Sequence, residues 1–77
     1  MALVANFIRQ DKEIARIHDR IDAHVASFDI GQERLLQIDT FGRGSRKNPG
    51  KISQSLQLDR QSAESLFAIL KETYGFK

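Results

Sequence analysis

Cysteine is absent from this chain of 77 residues, which excludes disulfides and every thiolate metal site. Two histidines, His18 and His24, are too few to build a zinc site without other ligands, so no structural metal and no cofactor is expected. Tryptophan is also absent, and proline occurs once, at Pro49. No stretch approaches the roughly 18 consecutive apolar residues that a membrane-crossing helix requires. The start, Met1-Ala2-Leu3-Val4-Ala5-Asn6-Phe7-Ile8-Arg9, has a short apolar run with no basic segment before it, unlike a secretory signal. Together with the lack of cysteine, this makes a soluble, cytoplasmic protein the expectation.

A chain of this length has room for one domain, spanning 1–77. Such a domain buries only about 60% of its unfolded surface. Disulfides and metals being excluded, association with a second copy is the expected source of further stability.

The first segment, Leu3 to Phe28, reads as one long helix. Leu3, Phe7, Gln10, Ile14, Ile17, Ile21, His24 and Phe28 recur at alternating spacings of four and three, as along a coiled-coil seam. Arg9, Glu13 and Arg16 lie at spacings that let opposite charges meet on a helix, and Gly31 stands where a helix would stop. Arg34 to Phe41 then reads as a strand, with Leu36, Ile38 and Thr40 on one face and Leu35, Gln37, Asp39 and Phe41 on the other. A second strand covers Lys51 to Leu58, its Ser53, Ser55 and Gln57 face polar but uncharged. Asp59 is placed as an N-cap for a last helix with an apolar stripe of Ala63, Leu66, Phe67, Leu70 and Tyr74. Gly75 is placed to end that helix. The expected fold is therefore α+β in the order α-β-β-α. A long N-terminal helix, a two-stranded antiparallel ribbon and a C-terminal helix form a single domain completed by homodimerisation, because a lone ribbon is marginal in water.

The net charge of +2 conceals an uneven distribution. Between Phe41 and Leu58 there is no acid, while Arg43, Arg46, Lys47 and Lys51 all fall inside. The connection Gly42-Arg43-Gly44-Ser45-Arg46-Lys47-Asn48-Pro49-Gly50 combines glycines, whose backbone N–H groups can point at an anion, with side chains that neutralise it. Pro49-Gly50 suits the centre of a type II turn. The P-loop spacing is absent, and the segment leads into a strand rather than a helix. Phosphates spaced along a nucleic-acid backbone suit several cations on one loop better than a single nucleotide does. Arg43, Ser45, Arg46, Lys47 and Lys51 are the candidate contacts, with Phe41 and the polar face of Ser53, Ser55 and Gln57 available for stacking and hydrogen bonds to single strands. The plainer reading is a solvated hairpin loop, basic because loops are polar.

Catalytic residues are not evident. His18 and Asp22 are four apart, a common pairing on charged helices, and no third ligand lies near. Ser45, Ser53, Ser55, Ser62 and Ser65 have no neighbouring histidine and match no nucleophile signature. A non-enzymatic binding protein is expected, with nucleic acid as the leading partner. The alternative is a regulator or inhibitor that docks on a larger protein through the N-terminal helix and the loop.

The stretch from Leu36 to Leu70, with Pro49-Gly50-Lys51 and Leu56-Gln57-Leu58-Asp59 as its clearest parts, resembles the single-stranded-DNA-binding transcriptional coactivator family. In that family a basic Gly/Pro-Gly-Lys hairpin region precedes a strand that runs directly into a helix. The resemblance implies four strands per chain, where the periodicity of this sequence suggests two.

Overall fold

A computed structural model describes residues 1–13, 16–41 and 52–77. Four strands and one helix follow in order: β1 (Ala2–Val4), β2 (Ala23–Ile30), β3 (Glu33–Phe41), β4 (Ile52–Leu58) and α1 (Arg60–Tyr74). The strands form one mixed sheet in the order β1-β4-β3-β2, with β1 parallel to β4 and the other pairs antiparallel.

The long N-terminal helix and the isolated two-stranded ribbon expected from the sequence are not what forms. Ala2–Val4 and Ala23–Ile30 are strands, and the described residues between them carry no regular element. The physical reason lies in the residue types at the seam. Ile14, Ile17 and Ile21 are β-branched, stiff at χ1 and as well suited to a pleated surface as to a helix. The spacing was compatible with either element, and pairing decided between them.

That pairing starts at Gly31. Ile30 and Glu33 face each other across a two-residue turn, with Gly31 at φ 62°. Positive φ at the first central position is the geometry of a type II′ hairpin turn, where glycine is preferred. Gly31 is thus a hairpin residue rather than a helix stop, and from it β2 pairs with β3 along its whole length, Ala23 opposite Thr40 at the far end.

β3, β4 and α1 occupy the segments that alternation and capping indicate. Asp59 caps α1: its carboxylate accepts from the Ser62 backbone N–H at 2.9 Å, and the Ser62 hydroxyl accepts from the Asp59 N–H at 3.1 Å. These reciprocal bonds satisfy two donors that a helix start leaves open. At the other end Gly75 adopts φ 74° and its N–H donates to the Lys71 carbonyl at 2.7 Å. Within the sheet, Leu36, Ile38, Leu56, Leu58 and Val4 share one face by register, while Gln37, Asp39, Ser55 and Gln57 share the other. Among the described residues only two apolar side chains, Leu35 and Leu58, are buried.

No helix among the described residues is long and apolar enough to cross a membrane.

Candidate functional site: the polar face of the sheet

The predicted nucleic-acid contacts Arg43, Ser45, Arg46, Lys47 and Lys51 lie outside the described residues, as does the Pro49-Gly50 turn. Their flanks are described. Phe41 closes β3 and Ile52 opens β4, opposite each other in register after an irregularity at Thr40/Phe41. The basic segment therefore leaves from and returns to one end of the sheet.

Beside that end, the antiparallel register of β3 and β4 sets Asp39 opposite Ser55 and Gln37 opposite Gln57. The four side chains form a connected chain of hydrogen bonds across the two strands. The Gln57 amide donates to Gln37 Oε1 at 3.0 Å, the Gln37 amide donates to Asp39 Oδ1 at 2.9 Å, and the Ser55 hydroxyl donates to the same carboxylate oxygen. His24 on β2 stands opposite Asp39, and its ring meets Phe41 edge-on with centroids 4.7 Å apart. Of the sequence-predicted contacts, Phe41, Ser53, Ser55 and Gln57 are thus on or at the border of this face. Gln37, Asp39 and His24 join them there, although sequence reading gave them no part in the site. The signal was present in the hairpin: once β3 and β4 are aligned, the polar residues of one strand fall opposite those of the other.

Asp39 is the electrostatic centre of the array. The Ser55 hydroxyl first, and the Gln37 amide second, hold its carboxyl below the ordinary value of 3.8, with a smaller contribution from the charge of His24. Partial desolvation opposes the shift. A carboxyl with a lowered folded-state pKa contributes stability that is present above its unfolded value and is lost as pH falls through the folded one. Removing the hydroxyl with Ser55→Ala is therefore expected to move the Asp39 titration upward, toward 3.8. Side-chain carboxyl NMR across pH 2 to 6, roughly the carboxylate range, reads this directly. An unmoved midpoint would contradict the hydroxyl's role.

One open cavity borders the array and a second lies at the end of the sheet. One, of about 370 Å³, is lined by Met1, Ala2, Leu3, Gln37, Ser55 and Gln57. The other, of about 290 Å³, lies at the end bearing the basic segment, among His18, Asp19, Ile21, Thr40, Phe41, Ser53 and Gln54. Asp29 and Arg34 pair at 2.9 Å on the β2–β3 hairpin, where both are exposed. Arg9, expected to pair along a helix with Glu13, instead approaches Glu72 of α1 at 3.6 Å. Pairs this exposed contribute little to stability. The described residues contain no group of three or more side chains suited to holding a metal ion.

Compared with known proteins, the chain matches no family model, no curated protein and no solved structure.

Proposed function

We propose that this chain binds single-stranded nucleic acid, with the cations of the 42–51 segment on phosphates and the polar face of the sheet against bases. The observation that carries the reading is the Gln57–Gln37–Asp39–Ser55 array, which starts beside the two ends of an acid-free segment holding four positive charges. The division of labour follows from charge. A carboxylate such as Asp39 repels phosphate but accepts hydrogen bonds from amino groups of bases, and amide side chains can both donate and accept. Bases meet such a face only when they are unpaired, which favours single strands. Phosphates are left to Arg43, Arg46, Lys47 and Lys51, which position the strand without reading its sequence. The alternative, docking on a larger protein, loses the helical surface it was to use, since Ala23–Ile30 is a strand and the described residues before it form no helix.

Fluorescence anisotropy of labelled single- and double-stranded oligonucleotides at two salt concentrations tests the proposal. Micromolar binding that prefers single strands and weakens with salt is expected. Absence of binding at low salt would reduce the segment to a solvated hairpin connection.

A further inference from the structure

The helix α1 is apolar on two adjacent stripes. Ser62, Leu66 and Ile69 recur at spacings of four and three, and all are buried or half-buried. Ala63, Phe67, Leu70 and Tyr74 recur at four, three and four, and the last three are 57%, 36% and 68% exposed. Phe76 extends this outer stripe past the helix end, its ring stacked on Tyr74 with centroids 5.4 Å apart and 56% exposed. A surface helix needs one apolar stripe to meet its own core. Among the described residues the second is met only by the Lys71 ammonium, 5.5 Å from the centre of the Phe67 ring, and by no apolar side chain of the sheet.

We infer that the outer stripe of α1 packs against the same stripe of a second copy of this chain, the two helices running antiparallel. Spacings of four, three and four form a coiled-coil seam. Placing a two-fold axis between Ala68 and Ile69 sets Ala63 opposite Tyr74 and Phe67 opposite Leu70. The smallest side chain of the stripe then meets the largest, so the seam fills evenly, as a self-complementary interface requires. The acids beside the stripe, Glu64 and Glu72, fall opposite Thr73 and Ser65 of the partner subunit, so no acid is set against an acid.

Area points the same way. A standard interface takes about 800 Å² from each partner, and about 65% of a homodimer interface is apolar, a need of roughly 520 Å². Phe67, Tyr74 and Phe76 are each more than half exposed, and rings of this kind present about 200 Å² each. Those three leave about 360 Å² in water on that basis, about two-thirds of that need, and Leu70 and Ala63 add to it, so the interface is at the small end of the range. A second copy is the one partner available wherever the chain is made. This inference is independent of the nucleic-acid reading, and its test involves no oligonucleotide.

Sedimentation equilibrium on the full chain at tens of micromolar is expected to give twice the 8.8 kDa mass of one copy. Phe67→Glu/Tyr74→Glu is expected to give the single mass with the sheet's circular dichroism retained. A single mass for the unaltered chain, or a double mass that survives the two glutamates, overturns the inference. Should the glutamate variant fail to fold, the absence of native cysteine supplies a second route. Phe67→Cys and Leu70→Cys chains, mixed and oxidised, are expected to cross-link to each other in preference to themselves, and failure to do so overturns the antiparallel seam.

Discussion

Arg46→Glu/Lys47→Glu is expected to bind a single-stranded oligonucleotide at least tenfold more weakly than the unaltered chain, while its thermal melt stays where it was. The size follows from counterion release. If Arg43, Arg46, Lys47 and Lys51 each neutralise one phosphate, the logarithm of affinity falls with that of salt at a slope of about −2.8 for a single strand. Raising salt from about 50 to 200 mM then costs the unaltered chain about fiftyfold in affinity. Reversing two of four charges halves the slope at least and adds repulsion to what was attraction. The melt is the control, because a change confined to phosphate contacts leaves the stability of the fold where it was. Equal affinity and equal slope in the two proteins would remove the basic segment from the site. A lowered melt would show that the segment serves the fold instead.

Leu58→Ala is expected to destabilise the chain by about 2 to 5 kcal/mol, the range for deleting a buried leucine. Leu58 is 3% exposed and sits on the central strand β4, in register with Val4 of β1 and Leu36 of β3. Its truncation therefore loosens three strands at once. Domains of this size have about 4 to 12 kcal/mol in total, and 1 kcal/mol moves the melting temperature by about 4 to 8 °C. The midpoint should fall by about 8 °C at the least, in that relation. Leu56→Ala supplies the comparison: it lies two residues away on the same strand and face but is 41% exposed, so its cost should be well under half as large. The two variants must be compared at equal protein concentration, because association adds to apparent stability. Equal costs at the two positions would mean that Leu58 is not at the centre of the core.

The elements legible in the sequence are those whose signal is local. Alternation marked β3 and β4, and α1 announced itself at both ends, through Asp59 at the start and Gly75 at the finish. The segment before them was misleading for a definite reason. Leu3, Phe7, Ile14, Ile17, Ile21 and Phe28 keep a helical spacing, yet the β-branched residues among them prefer no element strongly, and β2 exists because it pairs with β3. β1 is still less local: three residues at the start of the chain pair in parallel with Leu56 to Leu58. No window of sequence contains that contact.

The candidate site divides along the same line. Its charge was legible, since four cations without an acid are visible in the residues themselves. Of its hydrogen-bonding face only Ser53, Ser55 and Gln57 were legible; the joining to β3 was not, because Asp39 and Ser55 are 16 residues apart and Gln37 and Gln57 are 20 apart, and only a fixed register brings them within reach. The outer stripe of α1 was read as part of one broad apolar face. That Ser62, Leu66 and Ile69 fill one side while Phe67, Leu70 and Tyr74 remain exposed depends on how the helix meets β4.

By itself, the sequence determined what short-range sterics and local hydrogen bonds control: two strands, a capped helix, a concentration of positive charge and the absence of thiol chemistry. Tertiary structure decided what long-range pairing controls: that the N-terminal segment contributes strands, that four polar side chains join into one array, and that an apolar stripe is left for a partner. Local signals act within a turn or two of chain. Sheet register and the division of a helix between inner and outer faces are fixed only when distant segments compete for the same backbone hydrogen bonds and the same buried area.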